Sequence, residues 1–388
     1  MISDPHAQFR RMPRMSFPYL SNKLINLYVP HYDIRQMITR IVKVDQDNPS
    51  SEAIKEGVTV LQDGGLVIFP TETVYGIGCN ALSAESALRI FSVKKRPADN
   101  PLIVHISNME MLHRIARNVP EIVERRWEEF WPGPLTIIFE ASSIVPPEVT
   151  GGLSTVAVRM PSNILARSII EQSGLPVAAP SANISTRPSI TSSDYAIQEF
   201  NGSVDLIYDA GKCSLGLEST VIDIRGQKPL LLRAGSMNVE DISSIFGEVL
   251  VDDIARGIKY SERPVSPGTK YKHYSPVKPL ALIQDKSLFK KIMTEYGNDG
   301  RFLFIGLDEM LNGGGKNKIF LGDSKNLKDA ARNLFSSFRE IDSSECTAAI
   351  IHEFPEEKEG LAIMNRVRKA SSAVIRTQSD FNSFLESL

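Results

Sequence analysis

What most constrains this chain is a series of apolar runs too short to be helices, interleaved with segments of helical period. "LVIF" (66–69), "PLIVHI" (101–106), "LTIIFE" (135–140), "TVAVRM" (155–160) and "VAA" (177–179) each read as a buried strand. Between them, "SAESALRIFSVK" opens on Ser83 as an N-cap and sets Ala84, Ala87, Leu88 and Phe91 at i, i+3, i+4 and i+7, the spacing of an amphipathic helix. "SEAIKEGVTVLQD" (51–63) and "SNILARSIIEQSG" are helical and stop at glycines, while "DLIYD", "STVIDI" and "PLLLRAG" return to strands. The alternation is irregular. It predicts an α/β domain over residues 45–250 built on a twisted, mixed sheet.

Residues 251–279 change character. "IKYSERPVSPGTKYKHYSPVKP" (258–279) carries prolines, glycine and polar residues with no apolar period, as expected of a linker or an ordered lid loop. From 280 the pattern restarts with "LALI", "RFLFIG", "KIFLG", the helix "LKDAARNLFSSFRE", "AAIIHEF" and a final helix. This predicts a second, small doubly wound α/β domain over 280–388. A length of 388 residues accommodates two domains.

Composition excludes several classes. The net charge of -2 gives no global field for nucleic acid, so any polyanion site must be a local patch. Cys79, Cys213 and Cys346 lack metal or disulfide spacing, which fits a reducing compartment and a cytoplasmic protein. No apolar run approaches the roughly 18 residues of a membrane span. Residues 1–44 hold seven Lys/Arg and two Asp. They are expected to be a disordered extension. A start codon assigned too far upstream, or an Arg-rich transit leader, remains as an alternative.

The strand ends carry the chemistry. In "FPTETVYGIG" (69–78) hydroxyl and carboxyl side chains follow a strand and precede Gly76 and Gly78, a place for a polar ligand or simply a polar turn. In "KKRPADNP" (94–101) Lys94 suits a last helical turn by dipole alone. Arg96 and Asn100 each precede a proline and are pushed into extended backbone, where a guanidinium and an amide suit oxyanion binding. His105 follows on a strand, where a satisfied core histidine is the plain alternative. Arg159 ends "STVAVRMPS" on the face of Thr155 and Ala157, and a buried structural salt bridge would also explain it. "AAPSANISTRPSIT" (178–191) brings Ser181, Asn183 and Ser189 into a small-residue loop of a kind that holds phosphate. "GLESTVID" and "LLRAGS" add Ser219, Thr220 and Arg233 at strand ends. No nucleophile triad or metal-spaced cluster stands out. The pattern favours catalysis by positioning and charge stabilisation, as in phosphoryl or nucleotidyl transfer.

Eight stretches then occur in one order: "FPTETVYGIG", "KKRPADNPLIVHI", "WPGPLTIIF", "STVAVRMP", "APSANISTRPS", "LESTVID", "LLRAGS" and "SPGTKYKHYSP". Together they resemble the threonylcarbamoyl-AMP synthase family, with its YrdC-like fold. "EGLAIMNRVRKASS" (359–372) resembles the long form of that enzyme, which adds a small C-terminal domain. The resemblance implies a twisted α/β sheet enclosing a positively charged cavity, with a Rossmann-like C-terminal domain. It implies a nucleotidyltransferase that makes threonylcarbamoyl-AMP and pyrophosphate from L-threonine, bicarbonate and ATP. A partner transferase would then carry the group to an adenosine beside the tRNA anticodon. Weak contact with tRNA, Mg²⁺ accompanying ATP and no membrane association belong to the same expectation.

Residue by residue, the resemblance assigns Thr73, His105, Arg159, Ala179 and Ser219 to the threonine pocket. It assigns Arg96, Asn100, Thr155, Ser181, Ser189, Arg233 and Tyr271 to ATP. Lys94 with Arg96, and Ser181 with Asn183, would surround the reacting phosphate as the catalytic set, with no protein metal ligand. Thr269 stands where relatives usually have methionine, a departure from the family pattern within the lid. An RNA-binding module of the same fold is the main alternative. A carbamoyltransferase resembling hydrogenase-maturation enzymes is weaker, because the zinc-finger and acylphosphatase-like segments of those enzymes are missing from this sequence.

Overall fold

The computed structural model describes residues 37–259, 274–313 and 315–388. Among them, twelve strands form the larger sheet: β1 (Arg40–Lys43), β2 (Val67–Pro70), β3 (Tyr75–Asn80), β4 (Ile103–His105), β5 (Ala116–Arg117), β6 (Leu135–Ala141), β7 (Thr155–Arg159), β8 (Val177–Ala178), β9 (Leu206–Asp209), β10 (Thr220–Asp223), β11 (Leu230–Arg233) and β12 (Leu250–Val251). Their order is β1-β9-β2-β3-β8-β4-β7-β6-β10-β11-β12, with β5 added on β6. Parallel pairs such as β4 with β7 and β6 with β10 alternate with antiparallel pairs such as β2 with β3 and β6 with β7. This is the mixed sheet that the irregular alternation predicts.

The helices form where period and caps agree. Ser83 accepts from the Ser86 amide at the start of Ala84–Lys94, and Asn163 accepts from Ala166 at the start of Ile164–Ser173. Gly174 ends the latter in the left-handed region. Lys95 ends the former in the same conformation, so the chain turns sharply before Arg96.

Several strands were not expected from the sequence, among them the short β5 (Ala116–Arg117), at the end of a stretch read as helical, and β12 (Leu250–Val251); two others, β3 and β1, have a clear physical reason. β3 runs through Gly76 and Gly78, which argue against a strand by propensity. Its pairing explains the glycine: a Cβ at Gly78 would lie 2.5 Å from the Phe69 ring on β2. β1 lies inside the stretch expected to be an extension, and it pairs in parallel with β9. "RIVK" is only two apolar residues between cations, too little pattern for sequence reasoning, and its order comes from the neighbour's backbone. Residues 1–36 of that extension lie outside the described residues.

The C-terminal lobe holds five parallel strands: β13 (Leu280–Ile283), β14 (Phe302–Gly306), β15 (Lys318–Phe320), β16 (Ala348–His352) and β17 (Ala373–Ile375), in the order β15-β14-β16-β13-β17. Every residue of β13, β14 and β16 is buried, as a parallel strand covered on both faces requires. The helices Leu327–Ser343 and Glu359–Ala370 face the larger lobe. Arg339 on the first donates to Glu199 and to the Pro188 carbonyl, and Asp342 pairs with Arg187 at 2.9 Å. Asn365 on the second donates to the carbonyls of Ile254 and Ala255. One continuous apolar core runs through both lobes. Much of the 251–279 connection, including Thr269 and Tyr271, lies outside the described residues. At its end the Tyr274 ring packs 5.2 Å from Phe335.

Candidate active site

The carboxyl ends of several strands converge on one cleft. The register of parallel β4 and β7 sets His105 directly beside Arg159. Antiparallel β10 and β11 bring the start of one against the end of the other, so Ser219 and Arg233 meet. β3 opens at Tyr75 after a tight turn, and Gly76 forms a bridge to Ser181 in the loop after β8. The resulting cleft runs between these strand ends and is lined by residues of both loops and strands. Among the described residues its walls carry Lys94, Arg96, Arg159 and Arg233 against a single carboxylate, Glu218.

One end is built around Arg159. This side chain is buried; two of its nitrogens donate hydrogen bonds and the third sits in an ion pair. Nε donates to the Gly133 carbonyl at 3.2 Å, Nη1 to the Thr73 hydroxyl at 2.8 Å, and Nη2 pairs with Glu72 at 2.7 Å. The salt bridge that would explain a buried arginine is therefore present, and the arginine still lines the cleft. Thr73 is in turn held by the Thr71 hydroxyl at 2.8 Å. Ala179 lines the same region, its amide donating to the Ile103 carbonyl.

His105 sits beside this group, 3% exposed. Burial first, and the Arg159 guanidinium second, push its pKa down from 6.5 to about 3. The imidazole is thus neutral at physiological pH. Between pH 6.5 and about 3 the unfolded chain takes up a proton here that the native chain refuses. Stability therefore falls with acidification across that window, by up to about 1.4 kcal/mol per pH unit. His105→Gln is expected to flatten that part of the profile in urea unfolding followed from pH 7 to pH 4. Parallel curves for the two proteins would contradict the assignment.

The other end is the junction of the "KKRPADNP" and "PSANIS" segments. Lys94 is buried and donates through Nζ to the carbonyls of both Ser181 and Asn183. Its amine thus ties the two loops together and keeps one of three donors for anything else. Burial, reinforced by Arg96, holds its pKa well below that of an ordinary lysine. The Ser181 hydroxyl donates to the Asn183 side-chain oxygen at 2.6 Å, and Asn183 donates onward to Ile184 and Arg187. Arg96 is half-buried and reaches the Pro101 carbonyl at 3.2 Å, whereas Lys95 and Asp99 are exposed. The cation run thus divides residue by residue.

At the third wall, Arg233 donates to the Ser219 carbonyl and hydroxyl, each at 3.0 Å, and Ser219 shares a hydrogen bond with Thr136 at 2.7 Å. Gly235 permits this arrangement, since a Cβ there would lie 2.4 Å from the backbone of residues 218–220.

The cleft therefore gathers Thr73, Lys94, Arg96, His105, Arg159, Ala179, Ser181, Asn183, Ser219 and Arg233. Three assigned residues lie off its walls. Asn100 is buried, and its side-chain oxygen has no hydrogen-bond partner among the described residues. Thr155 begins β7, about 13 Å from Arg159 at roughly 3.3 Å per residue. Ser189 is buried behind the wall and donates to Glu218. Tyr271 lies outside the described residues. Sequence reasoning missed Glu72, Glu218 and Arg366. Each lies in a quoted stretch, but its burial is a tertiary fact. A carboxylate inside "FPTETVYG" and another beside Ser219 were the available signals.

Fold and site together define an α/β protein with a cleft lined by Lys94, Arg96, Arg159 and Arg233, coupled to a parallel-sheet second lobe. The family model described as "Telomere recombination" matches residues 59–235, and that described as "Threonylcarbamoyl-AMP synthase, C-terminal domain" matches residues 237–372. The chain is 40% identical to the threonylcarbamoyl-AMP synthase of Pyrococcus abyssi over 80% of its own length and 92% of the relative's. It is 37% identical to that of Bacillus subtilis, with 86% and 97% covered. The crystal structure of Pyrococcus abyssi Sua5 complexed with L-threonine superposes with a TM-score of 0.81 at 38% identity, covering 88% of this chain and all of that one. The chain belongs to the threonylcarbamoyl-AMP synthase family. Among the described residues no helix is long and apolar enough to cross a membrane.

Proposed function

We propose that this cleft condenses L-threonine, bicarbonate and ATP into threonylcarbamoyl-AMP and pyrophosphate. The observation that carries the reading is the donor count at Arg159. Nε is taken by the Gly133 carbonyl and one Nη1 hydrogen by the Thr73 hydroxyl, while Nη2 is ion-paired with Glu72 without donating a hydrogen bond to it, so N–H groups remain on both terminal nitrogens. That pair is the fork which takes a carboxylate in two parallel hydrogen bonds. A relative solved with L-threonine supports the same choice of substrate. The neutral His105 beside it adds a hydrogen-bonding group without a competing charge.

The threonine amine attacks bicarbonate, water leaves and a carbamate forms. A carbamate oxygen attacks the α-phosphorus in line, and pyrophosphate departs with the bonding electrons. Arg96 and the remaining Lys94 donor face the charge that accumulates on phosphate, while Ser181 and Asn183 hold the loop around it. Mg²⁺ bound to the nucleotide would supply neutralisation of phosphate charge. Among the described residues the cleft's one carboxylate is taken by Arg366, and no three His, Cys, Asp or Glu side chains cluster. An ion held mainly by phosphate oxygens and water fits that donor set. Asn100 and Ser189 act from behind the wall, and Tyr271 and Thr155 complete the ATP set of the resemblance. The product passes to a transferase that modifies the tRNA adenosine beside the anticodon, with weak tRNA contact and a cytoplasmic setting.

The test is pyrophosphate release from ATP by the full-length chain, with threonine and bicarbonate omitted in turn. Release should require both. Release that is indifferent to threonine would overturn the reading, and RNA affinity without ATP binding would favour an RNA-binding module.

A further inference from the structure

We propose that Arg366, a residue of the C-terminal lobe, is a positioning residue for the nucleotide: it neutralises Glu218, and so makes that wall of the cleft acceptable to a polyphosphate. The inference rests on the ATP reading above. Glu218 is the one carboxylate on the cleft walls among the described residues. It faces a site that is otherwise cationic. A bare carboxylate there would repel the phosphates of ATP through a medium that screens poorly.

Arg366 removes that charge from across the lobe boundary. Its side chain has 0% exposure, and Nη2 and Nε reach one Glu218 oxygen at 2.9 and 3.1 Å. The other oxygen accepts from the Ser189 hydroxyl. Nη1 of Arg366 donates to the Ala234 carbonyl, in the turn that sets Arg233 against Ser219. The Tyr274 ring lies 5.5 Å below the guanidinium, and buried Lys369 follows one turn along the same helix. Burial opposes ionisation of Glu218, but Arg366 and then Arg233 outweigh it and lower its pKa. The carboxylate is therefore charged and paired.

Simple adhesion between lobes does not account for this pair. The other cross-lobe pairs described above keep more contact with solvent: Arg339 with Glu199 at 8% and 16% exposure, and Arg187 with Asp342 at 30% and 18%. A fully desolvated ion pair is a poor stabiliser, and apolar residues of similar volume commonly do as well. Arg366 and Glu218 are placed where only the sign of the charge facing the ligand distinguishes them from such a replacement.

The test uses the full-length chain, its Arg366→Met and Arg366→Lys variants, and the double variant Arg366→Met/Glu218→Gln. ATP and threonine affinities are measured by titration calorimetry, which needs no turnover. Arg366→Met is expected to weaken ATP binding tenfold or more while threonine affinity moves less than about threefold. Arg366→Lys should recover part of the loss, and removing the carboxylate in the double variant should recover most of it. Unchanged ATP affinity in a folded Arg366→Met protein would overturn the inference. A double variant as impaired as the single one would do the same. If Arg366→Met does not fold, the double variant, with no buried unpaired charge, carries the test. A tenfold weaker ATP affinity in it overturns the role. ATP binding without threonine-dependent chemistry would count against the proposed reaction alone, and no ATP binding by the unaltered chain would count against both.

Discussion

Arg96→Ala is expected to fold normally and to lose about 10²–10³ in threonine-dependent pyrophosphate release, as removal of a single oxyanion donor typically does. The two effects separate because they differ in size. In the ground state Arg96 is half-buried and its guanidinium reaches the carbonyls of Pro101 at 3.2 Å and Asn100 at 3.5 Å. Losing such a bond costs about 0.5–1.5 kcal/mol of stability. A rate loss of that order corresponds to roughly 2.7–4 kcal/mol in the transition state. Lys95→Ala, on the exposed neighbour in the left-handed cap, serves as the control and should leave turnover within about twofold. Near-normal turnover in Arg96→Ala, with an unchanged unfolding midpoint, would remove Arg96 from the chemistry.

The second large effect is at Arg159, where stability and binding are entangled and two variants are needed. Arg159→Ala strands Glu72, a buried carboxylate whose cationic partner in this structure is Arg159. Breaking one side of a buried pair costs about 3–5 kcal/mol, enough to compromise folding. Arg159→Ala/Glu72→Gln removes the stranded charge and should restore most of the unfolding midpoint. Threonine binding should not return. Losing one member of a buried, hydrogen-bonded charge pair with a ligand costs about 2–5 kcal/mol, or roughly 30-fold or more in KM for threonine. A double variant that regained the threonine KM along with its stability would reduce Arg159 to a structural ion pair.

These two residues also illustrate how much of the site was legible. Arg96 stood out because Pro97 forces it off the helix, a constraint carried by adjacent residues. Arg159 stood out as a charge on a strand of apolar alternation. Its partner Glu72 is 87 positions earlier and meets it only because β3 and β7 are both built into one sheet around β8 and β4. Lys94 was read as a phosphate contact, and the structure adds that its amine ties the Ser181 and Asn183 carbonyls together. Thr155 shares a strand face with Arg159 but lies at the opposite end of it, a distinction that a period of two cannot make. Glu218 was one position from a chosen residue, and only burial against Arg366 marks it as different from any polar loop carboxylate.

The sequence by itself determined the α/β class, most of the longer elements and the strand-end chemistry. Those depend on apolar period, on caps such as Ser83 and Asn163, and on prolines beside Arg96 and Asn100, all of which act within a few residues. Eight motifs in order were enough to indicate the family. Only the tertiary structure decided which strand ends share a cleft, that β1 joins the sheet, that Glu72 occupies Arg159, and that the C-terminal lobe reaches the site through Arg366. Each of these pairs residues far apart in the chain. Their energies come from desolvation and from backbone partners that exist only once the sheet has closed, so no local pattern could carry them.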